Sequence, residues 1–207
     1  MTARIYPFEG IDGSGKTTLI KNVAARLRKQ GYSVLTVQEP GTTNMGLNIR
    51  QLLKSDTPRS AICELLLFEA SRNDMVESVI KPAMDSYDFI FIDRFVDSTI
   101  TYQGFGNGIS LTTIETLNNI AISQLPITKT IYVDVKLDIA EARRKQRETD
   151  TDKFDIDHEF AHRVYKGYHH LIAASPEDYH IVYDNNDLTT KTQNLVNYLT
   201  MPNPYNA

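Results

Sequence analysis

Several features that mark other classes of protein are scarce in this 207-residue sequence. It has one cysteine, Cys63, so an internal disulfide is excluded. No stretch approaches the roughly 18 consecutive apolar residues of a membrane span, and residues 1–4 lead into a strand without the apolar run of a signal peptide. We therefore expect no membrane partner and a reducing, cytoplasmic setting. Cys63 lies in the apolar run 62–68, which predicts a buried, unreactive thiol.

Basic charge is also in short supply. The chain has 22 Lys and Arg residues against 26 Asp and Glu, a formal net charge of -4. Binding along a nucleic-acid backbone needs clustered Lys and Arg, so we expect no nucleic-acid partner and only local binding of phosphate. Hydrophobic residues make up 41% and charged residues 23%, the usual globular balance. One domain spanning residues 1–207 is therefore expected.

Apolar runs alternate with helical patterns along the chain. The predicted strands are residues 5–9, 33–37, 89–92, 130–135 and 179–183. The predicted helices are 16–29, 44–54, 60–87 with a bend or a restart at Pro82, 138–147, 157–174 and 189–199, with a loop and helices over 95–124. This order predicts an α/β fold with a five-stranded parallel sheet and helices on both faces. Pro7 lacks the N–H that a central strand needs, so we expect either a bulge or a shorter hydrogen-bonded stretch there.

A glycine-rich loop follows the first predicted strand. Residues 10–17, GIDGSGKT, match GxxxxGK[ST] in full, with the strand before and the helix after that the motif requires. Glycines let backbone N–H groups wrap a phosphate, and the helix adds its positive end. The predicted nucleotide-binding residues are Gly10, Ile11, Asp12, Gly13, Ser14, Gly15, Lys16, Thr17 and Thr18. Lys16 is expected on the β- and γ-phosphates of ATP, and Thr17 on Mg²⁺.

The most apolar predicted strand, 89–92, is followed by Asp93 and Arg94. A carboxylate at the end of such a strand is placed to hold the water shell of the metal, so Asp93 joins Thr17 as a predicted metal residue. The alternative is a loop carboxylate that caps the next helix.

Five short stretches together closely resemble the thymidylate kinase family. They are FEGIDGSGKTT at 8–18, EPGTT at 39–43, LLLFEASR at 65–72, IDRFVDSTITYQG at 92–104 and RVYKGY at 163–168. The resemblance covers nearly the whole chain in the order and spacing of the family. It implies a P-loop NTPase fold, transfer of the γ-phosphate of Mg-ATP to dTMP, a homodimer, and a mobile lid at about 143–155.

The resemblance also implies roles on the acceptor side. Phe68 would stack on thymine, and Arg72, one helical turn later, would hydrogen-bond a base carbonyl. Arg94 would hold the acceptor phosphate, Asp12 would lie near the sugar 3′-hydroxyl, and Tyr102 would favour deoxyribose. The other implied acceptor residues are Pro40, Ser98, Thr99 and Gln103. From the residues alone, Phe68 would be a core aromatic. The alternative for Ser98 and Thr99 is an N-cap pair on a new helix, which does not exclude their role at the base.

For the donor side, the resemblance implies a lid that closes over the triphosphate with Arg143, Arg144, Arg147 and Lys153. The alternative is a solvated basic helix face. Gly13 stands where some family members carry an arginine, so the charge that develops during transfer must be met from the lid, as in the bacterial branch. The implied catalytic residues are Asp12, Lys16, Arg94, Arg144, Arg147 and Lys153.

Three positions depart from the family pattern. Gln38 replaces an arginine before Glu-Pro, Thr42 replaces a glycine, and Lys153 replaces a lid arginine. The first two leave open a kinase of broader or different deoxynucleotide specificity. A P-loop ATPase that switches partners is a further alternative, and it differs in that its ATP consumption would not depend on a monophosphate acceptor.

Overall fold

The predicted five-stranded parallel sheet is confirmed by a computed structural model, which describes residues 2–146 and 158–201. The strands are β1 Arg4–Glu9, β2 Val34–Gln38, β3 Phe89–Asp93, β4 Thr130–Asp134 and β5 Tyr179–Tyr183. Their order across the sheet is β2-β3-β1-β4-β5, and every neighbouring pair is parallel. The carboxyl ends of β1 and β3 therefore lie side by side, which is where such sheets bind ligands.

Helices connect the strands over both faces. They are α1 Lys16–Lys29, α2 Asn44–Lys54, α3 Ala61–Met75, α4 Lys81–Ala83, α5 Val96–Thr99, α6 Leu111–Ile122, α7 Leu137–Lys145, α8 His158–Ala174 and α9 Leu188–Thr200. Wide π-helical turns follow α3 and α5, at Val76–Ile80 and Ile100–Gly106. Among the described residues, no helix is both long and apolar enough to cross a membrane.

Apolar side chains cover the sheet on both faces. On one face, Phe8 and Phe91 lie with ring centroids 5.1 Å apart and pack against α1, α8 and α9. On the other face, Ile5 and Ile90 pack with the end of α3 and the wide turn after it. A strand buried on both faces is apolar at every position, which explains the uninterrupted run in β3.

Pro7 lies in β1, the middle strand of the sheet. Ile5 donates its N–H to Thr128 Oγ1 and its carbonyl accepts from the N–H of Thr128, so the odd-numbered residues of β1 face β4. The absent N–H of Pro7 therefore faces β4 as well, and the pairing of β1 with β4 begins only at Phe8. The hydrogen-bonded stretch is shorter on that side, as one of the two alternatives predicted.

Of two expectations about the predicted helix 60–87, one is confirmed and one was wrong. The helix was expected to bend or restart at Pro82, and a restart is confirmed: after the wide turn Val76–Ile80, α4 begins at Lys81 with Pro82 in its first turn, where an N–H is not needed. Cys63 is exposed rather than buried. The apolar run 62–68 spans more than one helical turn and so covers every face of α3, and only Leu65 of that run is buried.

Candidate active site

The loop between β1 and α1 has the backbone of a phosphate loop. Gly10 and Gly13 have φ angles of 143° and 86°, which favour glycine. A Cβ at Gly10 would lie 2.7 Å from the carbonyl oxygen of Val133, and one at Gly13 would lie 2.1 Å from that of Ala140 in α7. The loop is therefore packed against the end of β4 and the body of α7, with no space for side chains at these two positions.

Lys16 is buried at the start of α1. Its Nζ donates to the carbonyl oxygens of Gly10 at 2.8 Å and Ile11 at 3.1 Å, inside the loop. Burial, together with the positive charge of Arg94, lowers the pKa of Lys16 to about 8. A phosphate anion beside this ammonium would raise that pKa again, so anion binding and the charged form of Lys16 favour each other.

Thr17 and Asp93 come together from separate elements. The Thr17 hydroxyl, at the start of α1, donates to Asp93 Oδ2 at the end of β3 at 2.5 Å. Both line a cleft of about 190 Å³ together with Lys16 and Thr18. Because Asp93 is engaged with Thr17 and the residue before α5 is Phe95, the helix-cap alternative for Asp93 is wrong.

Arg94 points at the phosphate loop. Its backbone has a φ of 71°, and its Nη2 donates to Asp12 Oδ1 at 2.6 Å while Nη1 donates to Ser98 Oγ at 3.0 Å. The guanidinium also lies 5.0 Å from the ring centroid of Tyr102, whose hydroxyl donates to Asp12 Oδ2 at 3.1 Å. Burial opposes ionisation of Asp12, but the charges of Arg94 and Lys16 outweigh it and lower the pKa of Asp12 to about 2.

A cavity of about 560 Å³ opens on the other side of Arg94. Every predicted acceptor residue lines it: Asp12, Pro40, Phe68, Arg72, Arg94, Ser98, Thr99, Tyr102 and Gln103. It shares four residues with the cleft at the phosphate loop, namely Asp12, Glu39, Arg50 and Arg94. The two spaces therefore meet at Arg94, with the glycine loop on one side and Phe68 on the other.

Ser98 and Thr99 close α5 rather than begin a helix, so the N-cap alternative for this pair is wrong. Ser98 Oγ donates to Glu9 Oε2 at 2.7 Å, and Thr99 Oγ1 accepts from Arg72 at 2.6 Å. Ser98 is therefore held by the buried Glu9, and Thr99 by Arg72, another residue of the cavity wall.

Arg72 forms more hydrogen bonds than the single bond to a base carbonyl that the resemblance implies. It is 1% exposed and forms a bidentate pair with Glu39, at 2.6 and 3.0 Å. It also donates to Glu69 Oε1 at 2.8 Å and to Asn118 Oδ1. Together with the bond to Thr99, these bonds use all five N–H donors of Arg72, so a bond to a base carbonyl would require one of them to be exchanged.

Glu9 was missed by the sequence analysis. It is fully buried at the end of β1 and accepts from the N–H of Phe95 at 2.6 Å, the hydroxyl of Ser98 at 2.7 Å and the hydroxyl of Tyr168 at 2.9 Å. Glu9 thereby fixes the turn that carries Arg94. The available signal was a charged residue directly after the apolar residues 5–8.

A third cavity of about 490 Å³ lies beside Gly15 and Thr18, which also line the phosphate cleft. Its wall includes Arg143 of α7, whose Nη2 donates to Asp184 Oδ2 at 2.8 Å, and Lys191 of α9, whose Nζ donates to Asp184 Oδ1 at 2.5 Å. The sequence analysis placed Arg143 in the lid. It missed Asp184 and Lys191, because no local sequence motif predicts that these two residues pair.

Of the other three predicted lid residues, the structure describes only Arg144. Arg144 lies on α7 and lines a small cleft with Asp12 and Tyr102. Arg147 and Lys153 lie outside the described residues, as does most of the predicted lid at 143–155.

The buried carboxyl group of Asp97 makes the stability of the fold depend on pH. It is buried in α5 and accepts from the Tyr179 hydroxyl at 2.9 Å. Burial and the nearby charge of Glu9 raise the pKa of Asp97 from 3.8 to about 7. The folded state therefore holds a proton that the unfolded state releases, so stability is lost as the pH rises from about 4 to about 7.

We expect the Tm of the protein to fall by several degrees over that pH range, and Asp97→Asn to flatten the fall, in thermal melts at fixed ionic strength. The exposed Asp85→Asn is the matched control and should melt like the parent at every pH. An unchanged slope for Asp97→Asn would contradict the assignment.

The geometry defines a class of protein. A parallel α/β sheet carries a phosphate loop, with one cavity beside the loop and a second that joins it through an arginine. This is the arrangement of a P-loop kinase that transfers phosphate between a nucleotide and a small phosphorylated acceptor.

Comparison with known proteins specifies the family. The sequence profile of the family described as Thymidylate kinase matches residues 8–196. A thymidylate kinase of Caldanaerobacter subterraneus subsp. tengcongensis is 36% identical over 183 residues, 88% of each chain. One from Synechococcus sp. strain JA-2-3B'a(2-13) is 40% identical over 170 residues, 82% of this chain and 81% of that one. A crystal structure of thymidylate kinase from Ehrlichia chaffeensis superposes with a TM-score of 0.79 at 30% identity, covering 97% of this chain and all of that one.

The chain belongs to the thymidylate kinase family. It is therefore an ATP-dependent nucleoside monophosphate kinase that phosphorylates thymidylate. The P-loop NTPase fold that the sequence analysis expected is confirmed.

Proposed function

We propose that the cleft at Arg94 is where the γ-phosphate of ATP passes to dTMP, giving dTDP and ADP. The observation that carries this proposal is the shared wall: Asp12 and Arg94 line both the phosphate cleft and the acceptor cavity. Donor and acceptor phosphates bound in these two spaces would meet end to end at Arg94. Holding two reactants in line accounts for much of the rate in this chemistry, without a covalent intermediate.

In this proposal each side chain at the cleft binds or orients. Lys16 holds the β- and γ-phosphates of the donor, and Arg94 holds the acceptor phosphate with its paired donors. Asp12 fixes Arg94 through their 2.6 Å ion pair. Tyr102, bonded to the same carboxylate, narrows the sugar end of the cavity. Arg50 adds a cation at the junction, where Gln38 supplies none, and its Nη1 donates to the carbonyl of Pro40 at 2.9 Å.

Thr17 and Asp93 fit a Mg²⁺ ion. Both offer hard oxygen atoms at one spot beside Lys16, and Mg²⁺ is usually bound by one or two protein oxygens with water and phosphate completing its shell. Bound there, the ion would neutralise charge on the phosphates of ATP.

The remaining residues 147–155 of the predicted lid, with Arg147 and Lys153, belong to this proposal through the resemblance alone. Arg144 has the further support of its place beside Asp12.

The function is tested by following dTDP and ADP with purified full-length chain. We expect dTDP formation to require ATP, dTMP and Mg²⁺ together, and ATP consumption to stop when dTMP is withheld. Steady ATP hydrolysis without any monophosphate would instead support the P-loop switch. Ample product from dGMP or dCMP with little from dTMP would support the kinase of different specificity.

The cavity that holds Arg143 is proposed as the site of the donor nucleoside. If Asp184 keeps Arg143 and Lys191 against its wall, Asp184→Asn should raise the KM for ATP about tenfold and leave the KM for dTMP within about twofold. The control is Asp138→Asn, an exposed carboxylate on the same helix as Arg143. Equal losses for both substrates would show that Asp184 serves only the fold.

We propose that the chain forms a homodimer, as the resemblance implies, through α2 and α3. Each of these adjacent helices exposes apolar residues at helical spacing: Met45 and Leu52 on α2, Ile62 and Leu66 on α3. Light scattering should give twice the 23.5 kDa mass of one chain. Leu66→Glu should give the monomer mass, and a monomeric parent would refute the dimer.

A further inference from the structure

The wall of the acceptor cavity contains a hydrogen-bonded polar pair, Glu64 and Gln103. Glu64 lies in the first turn of α3, one turn before Phe68, and Gln103 lies in the wide turn Ile100–Gly106. Both line the cavity, and Gln103 is only 5% exposed. Its Nε2 donates to Glu64 Oε1 at 3.1 Å.

This bond decides which way the amide of Gln103 faces. A carboxylate only accepts hydrogen bonds, so Gln103 must turn its NH₂ group toward Glu64. The other carboxylate oxygen of Glu64, Oε2, lies 3.8 Å from Nε of Arg59. The orientation of a glutamine amide follows from such partners. The group that Gln103 offers to a ligand in the cavity is therefore its carbonyl oxygen, an acceptor.

Pyrimidine bases differ at N3, the ring nitrogen that can bond to such an acceptor. N3 of thymine and of uracil carries a hydrogen and donates, whereas N3 of cytosine carries a lone pair and accepts. An acceptor facing cytosine N3 leaves two lone pairs opposed and both groups without a partner, which is costly in a buried site. A site built to bond one group rejects an analogue that lacks it far more strongly than an apolar pocket does.

We propose that Glu64 is a positioning residue for base selection: it fixes the amide of Gln103 so that the cavity accepts pyrimidine monophosphates with an N3–H and rejects cytosine. This inference rests on the proposed function, because it takes the cavity of Gln103 as the acceptor site. It does not separate thymine from uracil, which differ at C5. Glu64 acts through Gln103 and needs no contact with the base.

The test compares kcat/KM for dTMP, dUMP and dCMP in the full chain and in Glu64→Gln. A glutamine at 64 can donate as well as accept, so the amide of Gln103 is free to present either end. We expect the ratio of dTMP to dCMP efficiency to fall at least tenfold, with the KM for ATP unchanged. The matched control is Glu77→Gln, an exposed carboxylate paired with Lys81 at 2.6 Å, which should keep the parent ratio.

A double-variant comparison separates positioning from direct contact. Gln103→Met removes the amide and should lower the selectivity by itself. If Glu64 works only through Gln103, the variant with both changes should be no less selective than Gln103→Met alone. A further loss in the double variant, or an unchanged ratio in Glu64→Gln, would overturn the proposal. If Glu64→Gln does not fold, Glu64→Ala gives the same comparison.

The activity of the parent enzyme distinguishes a failure of the proposed function from a failure of the role proposed for Glu64. If the parent makes no dTDP from dTMP, the proposed function itself fails. If the parent turns over dTMP and discriminates against dCMP while Glu64→Gln discriminates equally well, only the role of Glu64 is refuted.

Discussion

Removing the side chain of Arg94 is expected to lower kcat/KM for dTMP about 10²–10³-fold, the usual loss when a group that stabilises developing charge is deleted. Arg94 is the residue at which the phosphate cleft and the acceptor cavity join, and its two Nη atoms bond Asp12 and Ser98. Steady-state kinetics with varied dTMP at saturating ATP measure the loss. Equilibrium binding of ATP alone should change little.

Two variants of Arg94 are needed to separate the loss of its side chain from the effect of its backbone conformation. Its φ of 71° is a left-handed conformation that glycine adopts freely and alanine does not. If the side chain matters for the acceptor phosphate, Arg94→Gly and Arg94→Ala should lose activity equally, although only the alanine keeps the backbone strain. Arg94→Lys, which keeps the charge without the fork of donors, should lose less than either. Parent-like efficiency in Arg94→Gly would contradict the assignment.

The second large effect is expected at Gly13. A Cβ there would lie 2.1 Å from the carbonyl oxygen of Ala140, so Gly13→Ala must push α7 away from the phosphate loop. The positive φ adds strain, and the sum of strain and overpacking is about 2–4 kcal/mol. For a domain of this size we expect a fall in Tm of about 5–15 °C, together with a raised KM for ATP.

Gly15→Ala is the matched control for stability. Gly15 has nearly the same φ, 89°, but no atom lies within 4 Å of its Cβ position. The difference in Tm between the two variants therefore isolates the contact with α7. Equal Tm values would show that α7 does not pack on the loop. The same contact leaves no space for a side chain of any size at position 13.

Much of the fold was predictable because its signals are local. The bounds predicted for α1 and α2 are those observed, since each helix has an amphipathic pattern and a clear beginning and end. Cys63 was misplaced because an apolar run identifies a helix without saying which face is covered. The restart near Pro82 was predicted, but the wide turn Val76–Ile80 that precedes it was not. In each case the missing information was the packing of a neighbour.

The candidate site also has one part that was predictable from sequence and one part that was not. The phosphate loop follows from sequence, because eight consecutive residues hold its glycines, its lysine and its hydroxyl. The partners of the key side chains do not: Arg72 bonds Glu39, Gln103 bonds Glu64 and Arg143 bonds Asp184. Each of these pairs is separated by more than 30 positions along the chain.

The amino-acid sequence by itself therefore determined the class of fold, the phosphate loop and the resemblance to one family, since these depend on residues that are neighbours in the chain. Only the tertiary structure decided that Glu9 holds the turn of Arg94, that Glu64 orients Gln103, and that the two cavities meet at Arg94. The physical reason is that hydrogen bonds and steric contacts act over a few ångströms in space, whatever the distance along the chain.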